Sequence, residues 1–477
     1  MVGQSGVGAG ADSAPALIDA VHRGDGHDVA RCLSHGVSPN TELPDGTSVM
    51  CVAAKRGDVA IVRMLADAGA ALAPHRRSSR STPGRDLYPL HLAAFSGSVP
   101  VVDELLGRGV DVDALTSTGS TPLFFAAEAG HVAVCERLLD AGASPGVINC
   151  RGSTPLMLAA LAGTVGVARL LVDAGADVNA IMEQGGSALF AAAQRGHADC
   201  VRLLVDSGAD VNVQADGQLT PVLLASQFGY LDCVQALLAA GADVNVVTDQ
   251  GWTALQVAAI GDHRRCCEAL IAAGSKLDWQ LASGATAVFL AARMGHPHIL
   301  SILARAGADL NLPRNDGWRP LTIACAQRRH NAALALVAEG CDVDILTPTS
   351  EVPLSMATKR NWPDLVRALL ARGAAPNVHK TDSIPLCLAA RHLYVPGGVL
   401  DLLLEAGADP NARTRDGTTS VFVAAQDGHW RVLERLIAAG ADVNSRRVFD
   451  GVNAVFMASY VPRCAVWCCV VRGVAAH

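Results

Sequence analysis

Thirteen glycines fall on a regular ruler, and that spacing constrains the fold more than any other feature. Gly36, Gly69, Gly109, Gly142, Gly175, Gly208, Gly241, Gly274, Gly307, Gly340, Gly373, Gly407 and Gly440 keep one constant step in ten of twelve intervals. The step from Gly69 to Gly109 is longer by seven, and that from Gly373 to Gly407 by one. A chain with that self-similarity folds as a stacked array, each unit burying its apolar face against the next. An array offers a long surface and no single deep cleft. The spacing therefore favours a binding scaffold over an enzyme.

The residues around each glycine define the unit. Leu170-Leu171-Val172-Asp173-Ala174-Gly175-Ala176-Asp177-Val178-Asn179 shows an apolar run, the glycine, then a short polar stretch. Further on, Gly119-Ser120-Thr121-Pro122-Leu123 and Gly152-Ser153-Thr154-Pro155-Leu156 each open a second apolar run. Thr121 is placed to cap a helix through its hydroxyl, and Pro122 suits the first helical position. The small pair Ala126-Ala127 lets helices approach closely. Gly130 and Gly142 stand where two helices end, in a left-handed conformation. The polar segment from Gly142 to Pro155 is too short for another helix and predicts an extended hairpin finger.

These motifs together, Thr-Pro-Leu, an Ala pair, the Gly130-His131 turn, a Leu pair and Gly-Ala-Asp-Val-Asn, resemble the ankyrin repeat family over about residues 12–445. The resemblance implies an all-α solenoid of stacked helix-turn-helix units with β-hairpin fingers. It also implies a protein partner lying across the finger tips and first helices, on the concave side. The histidine of the family motif stands here once, as His91; the same slot elsewhere holds Phe124, Met157, Gln256 or Thr322.

The chain has 477 residues, a net charge of -7 and 4% aromatics, so Ala and Leu must build the core. The acidic balance argues against general nucleic-acid binding. Lys55, Lys276, Lys359 and Lys380 are the only lysines. Arginine therefore carries the positive surface, which suits bidentate contact with carboxylates or phosphates. The stretch from Met1 to Ala20 holds no basic start followed by an apolar segment, and no apolar run reaches the length that spans a bilayer. Cys200, Cys233 and Cys266 share one column, a single repeat apart, among 14 cysteines. Helices in neighbouring repeats are too far apart for disulfides. Free thiols, a reducing compartment and a cytoplasmic or nuclear protein without membrane insertion are expected.

Departures from the ruler carry further expectations. The long step between Gly69 and Gly109 holds a basic finger insertion at 74–86. Within it, Ser79 lies in Arg-Arg-x-Ser and Thr82 in Thr-Pro, both candidate phosphorylation sites. The step between Gly373 and Gly407 hides an insertion at Leu393-Tyr394-Val395-Pro396-Gly397-Gly398, read as a turn between two helices. Arg328-Arg329 and Cys341 replace consensus residues, so the array should be weakest around 320–400. Residues 1–11 read as a tail, 12–43 as an N-terminal cap, and 446–477 as a partial fourteenth repeat with an apolar tail, which points to a truncated chain.

The sequence offers no phosphate loop and no zinc spacing. His131, His197, His296 and His429 recur at one repeat position after Gly, which marks them as turn residues spread along the array. The Asp and Asn of Asp-Val-Asn satisfy finger backbone groups. No catalytic residue, cofactor or metal is predicted. The partner surface is read from the finger positions and the ends of the first helices. Leu219, Phe228, Trp252, Met294 and Trp318 supply apolar anchors, and Arg293, Lys359 and Arg360 supply charge. That combination fits an acidic or phosphorylated segment with an apolar anchor. The leading reading is a non-enzymatic protein-interaction scaffold or signalling adaptor. The alternative is a recognition arm of a larger protein such as a ubiquitin-ligase receptor, channel or kinase fusion.

Overall fold

A computed structural model describes residues 13–73, 87–377, 383–448 and 450–460. The N-terminal tail, the 74–86 insertion with Ser79 and Thr82, and the segment after 460 lie outside the described residues. The chain divides into two units, Met1–Val246 and Val247–His477. The described residues of the first form fourteen helices, from Ala14–Arg23 to Leu231–Ala239; those of the second form thirteen, from Ala254–Ile260 to Ala454–Tyr460. Within each unit, first helices pack on first helices of the next repeat, and second helices on second helices.

One repeat explains the local choices. Thr154 is extended, its hydroxyl accepts the Met157 N–H at 3.3 Å, and Pro155 fills the first position of helix Pro155–Ala162. That helix ends at Gly163, whose φ of 74° is left-handed and costs a glycine little. The antiparallel helix Val165–Asp173 follows at once. The first helix is sandwiched between neighbours and buries Leu156, Met157, Ala159 and Ala160, whereas the second buries one face through Val167, Ala168 and Leu171. Burying Leu171 contributes about 2 kcal/mol, and the Ala pair lets the next helix close in.

One local expectation is corrected. Thr121 does not cap its helix: its hydroxyl is buried without a hydrogen-bond partner, although Thr154, Ser187, Thr220 and Thr286 all cap theirs. The hairpin form expected of the fingers is not confirmed among the described residues. Among the described residues the only pairings are isolated bridges, Glu42 with Ser48 and Ala215 with Leu219. A typical finger is a tight turn, in which Thr116 N–H donates to Ser120 O at 3.0 Å and Gly119 N–H to Thr116 O at 2.9 Å. Helix capping begins at the next residue, so no length remains for a ladder.

What joins the repeats at the fingers is a side-chain ladder. Asn179 Oδ1 accepts the Asp210 N–H at 2.8 Å, and Asn212 Oδ1 accepts the Asp243 N–H at 2.8 Å. In the second unit Asn311 accepts from Asp342 and Asn411 from Asp442, again 31 residues on. Each asparagine thus pairs a backbone donor of the following repeat, which would otherwise face only water. Strand-like backbone contacts between neighbouring fingers add to this, such as Cys150 N–H to Thr118 O at 2.9 Å and Asn315 N–H to Ser283 O at 2.9 Å.

Candidate interaction surface

The glycine after most first helices of the first unit does two things. Its left-handed backbone turns the chain, and its bare Cα receives a side chain from the next repeat. A Cβ on Gly163 would stand 2.4 Å from Nδ1 of His197. His197 Nε2 donates over that glycine to Leu161 O at 3.1 Å. His131 reaches Phe95 O and His296 reaches Ile260 O through Nε2, whereas His429 reaches Ala390 O through Nδ1. The histidine column is a set of interrepeat bolts, as its repeat position indicates. Arg329 takes over the role above Gly295, its Nε donating to Arg293 O at 3.2 Å. The second unit departs further. Asp262, Arg328 and Asn361 occupy the glycine position itself, with φ of 56°, 60° and 54°.

His91 is fully buried, and its two nitrogens are committed. Nε2 donates to Ala114 O at 2.9 Å and lies 3.1 Å from Ser120 O, while Nδ1 accepts the Tyr88 N–H at 3.2 Å. Burial holds its pKa at about 4, against the stabilising pull of the two carbonyls. Gln256 reproduces the arrangement without a titrating group. Its Nε2 donates to Trp279 O and Ala285 O, and its Oε1 accepts the Thr253 N–H.

The anchor residues divide between the units. In the first unit, Leu219 is half-buried and its carbonyl accepts the Ala215 N–H at 2.9 Å. Phe228 is 47% exposed, its ring 5.9 Å from that of Tyr230. In the second unit, Arg293 and Met294 end helix Ala287–Met294 with both side chains exposed, Met294 by 41%. Lys359 is exposed and lies 3.5 Å from Glu351. Trp252 and Trp318 are half-buried on fingers, their N–H groups closing turns onto Thr248 and Asp316. Arg360 is spent inside the unit: it donates to Met356 O and Ala326 O and stacks over Trp362 at 5.5 Å. Arg328 and Arg391, also exposed, extend the basic row at the ends of the first helices.

The described cysteines are free thiols, and all but Cys150 are buried. Burial drives the Cys135, Cys267, Cys325, Cys341 and Cys387 thiols up to about 12, which suppresses the thiolate a nucleophile or metal ligand needs. No group of three His, Cys, Asp or Glu among the described residues could hold a metal ion. No helix among the described residues is long and apolar enough to cross a membrane.

Two features escape the sequence reading. Trp279 fastens one finger to another through its indole N–H, which donates to Gly251 O at 2.9 Å. Asp401 is buried and gathers three donors: the Tyr394 hydroxyl at 3.0 Å, the Gly397 N–H at 2.9 Å and Arg435 Nε at 2.7 Å. Burial raises its carboxyl, but Arg435, Gly397 and Tyr394 outweigh that and hold it below the usual carboxylate range. The available signal was an acid at a core-facing position beside a glycine-containing insertion.

A family model described as ankyrin repeats matches residues 77–149, 123–215, 189–280, 222–314, 262–347 and 354–447, in overlapping three-repeat blocks. No curated protein matches the chain.

Proposed function

This chain belongs to the ankyrin repeat family, a family of protein–protein interaction modules, and on that premise we propose that it is a non-enzymatic scaffold for another protein. The binding surface we propose in the second unit is the row of first-helix ends, with Arg293, Met294 and Lys359 at its centre and Trp252 and Trp318 on the fingers. The observation that carries it is the exposed Arg293-Met294 pair, a charge beside an apolar side chain that the fold leaves uncovered. Arginine favours a carboxylate or phosphate, and methionine adapts to varied apolar shapes. The partner is an acidic or phosphorylated segment with an apolar anchor. In the first unit, Leu219 and Phe228 are proposed as additional anchors. The buried thiols support a reducing, cytoplasmic or nuclear setting.

The test is quantitative affinity capture with the full chain and with a triple variant, Arg293→Glu, Met294→Glu and Lys359→Glu. Circular dichroism and melting should be the same for both. The proposal expects a captured protein to fall about tenfold or more with the variant. Identical capture by two equally folded proteins overturns it.

A further inference from the structure

The twelfth repeat breaks its own pattern. Its first helix, Pro385–Ala389, is five residues long, and its second, Val399–Glu405, is seven. The chain between them forms a loop at the helix ends opposite the fingers. Under this loop opens a cavity of about 100 Å³, walled by Pro363, Leu393, Val395, Val399 and Val432, with His392 and Tyr394 at its polar edge. Leu393 and Val395 are 76% and 57% exposed, although they belong to an apolar wall.

Three features make this more than a gap in packing. The loop is latched: Asp401 holds Tyr394 and Gly397 from within and Arg435 from the next repeat. The wall is therefore preformed, which lowers the ordering cost of binding. The space could hold several waters, and so one branched aliphatic side chain, yet its lining is mostly apolar and offers water few partners. The charge around it is one-sided. Arg391 and Arg431, both exposed, directly precede the lining residues His392 and Val432, while Arg360, before Asn361, is tied to Met356 O and Ala326 O. The acids that adjoin the lining are both paired, Asp364 with Arg367 at 3.7 Å and Asp401 with Arg435.

We propose that this cavity is a second docking site, at the Arg391 end of the first-helix row and away from Arg293 and Met294, which takes one branched aliphatic side chain from an acidic segment of a partner protein. The apolar walls bury the side chain, and the exposed Arg391 and Arg431 supply charge for the flanking carboxylates. A leucine flanked by aspartate or glutamate fits this chemistry; a basic segment does not.

The experiment uses the full chain with labelled Val, Leu and Met methyl groups and three capped pentapeptides. These are leucine flanked by four glutamates, alanine flanked by four glutamates, and leucine flanked by four lysines. The expected result is a saturable shift of the Val395, Val399 and Val432 methyls with the first peptide. The alanine peptide should bind about tenfold more weakly and the lysine peptide should give no saturable shift. Val395→Asp should abolish the response. Arg391→Ser, which leaves the wall intact, should weaken it about threefold. The Met294 methyl reports the other surface independently, so failure here is distinct from failure there. No saturable shift at the three valines overturns the proposal, as does equal binding of the alanine or lysine peptide.

Discussion

Lowering the pH should loosen the first unit through one residue, His91. Its Nδ1 must stay unprotonated to accept the Tyr88 N–H, and its Nε2–H already serves Ala114 O. Protonation would set two N–H groups against each other in a fully buried site. The folded pKa of about 4 lies below the ordinary histidine value of 6.5. A base with a depressed folded pKa leaves the unfolded state holding more protons between those two values. Stability from this group is therefore complete above about pH 6.5 and falls away as the pH drops toward 4. Between pH 7 and pH 5 the loss is about 2 kcal/mol, a factor of about twenty in the opening equilibrium. Gln256 shows how to remove the titration while keeping the bonds, so His91→Gln is the matched variant. Hydrogen exchange by mass spectrometry, corrected for intrinsic rates, should be read on peptides spanning 88–96 and 114–121 at both pH values. Wild type should lose protection at pH 5 and His91→Gln should not. Equal pH dependence in the two proteins refutes the reasoning.

Other expectations follow from the same contacts. Gly163→Ala should destabilise by about 2–3 kcal/mol, because it forces a left-handed alanine and displaces His197 from Leu161 O; Gly175→Ala, also left-handed with nothing within 4 Å, should cost only about 1–2 kcal/mol. Denaturant midpoints of the first unit compare them. Arg328→Gly should stabilise the second unit by about 0.5–1 kcal/mol by relieving a left-handed arginine, read as slower exchange in helix Pro320–Ala326. Asp401→Asn should cost about 2 kcal/mol by weakening the Arg435 bond, seen as lost protection across 393–405. Phosphorylation at Ser79 or Thr82 is tested by a basophilic and a proline-directed kinase with peptide mapping, and no modification between 74 and 86 removes that proposal.

The repeat architecture was legible because a constant period repeats its own evidence many times. The caps at Thr154, Ser187, Thr220 and Thr286 and the glycine turns follow from local chemistry, whereas the histidines, read as turn residues, reach back to carbonyls of the preceding repeat. The fingers were read as hairpins because their length allows one, but helix capping at Thr154 or Ser187 consumes the residues a second strand would need. The asparagines were read as serving the finger backbone, and the reach to the next repeat, as from Asn179 to Asp210, was not visible. A bond between residues so far apart in sequence depends on the pitch of the stack, which periodicity does not give. Gln256 was seen as a lost histidine, although its amide presents donors and an acceptor at similar reach. Arg360 looked like surface charge because its column is exposed elsewhere; only the stack reveals Ala326 O and Trp362 beside it.

These placements decide which arginines can report on binding. Most polar side chains along the repeats already have a backbone partner, so a surface charge informs about partners only where the ladder does not use it. In the second unit Arg329 stands in for a bolting histidine over Gly295, and Arg360 ties two repeats together. Reversing either would remove interrepeat bonds and open the array locally, because stability in a solenoid is a sum of repeat and neighbour terms. Weaker binding in such a variant would then be indistinguishable from local unfolding. Arg293, whose carbonyl rather than guanidinium serves the bolt, is the informative position. Its replacement leaves the Arg329 bond in place and changes only the charge offered outward. Lys359, exposed and paired only across 3.5 Å with Glu351, is the second, since a surface ion pair contributes about 0–1 kcal/mol. An effect on affinity at these two positions, with the hydrogen-exchange pattern unchanged, belongs to recognition and not to folding.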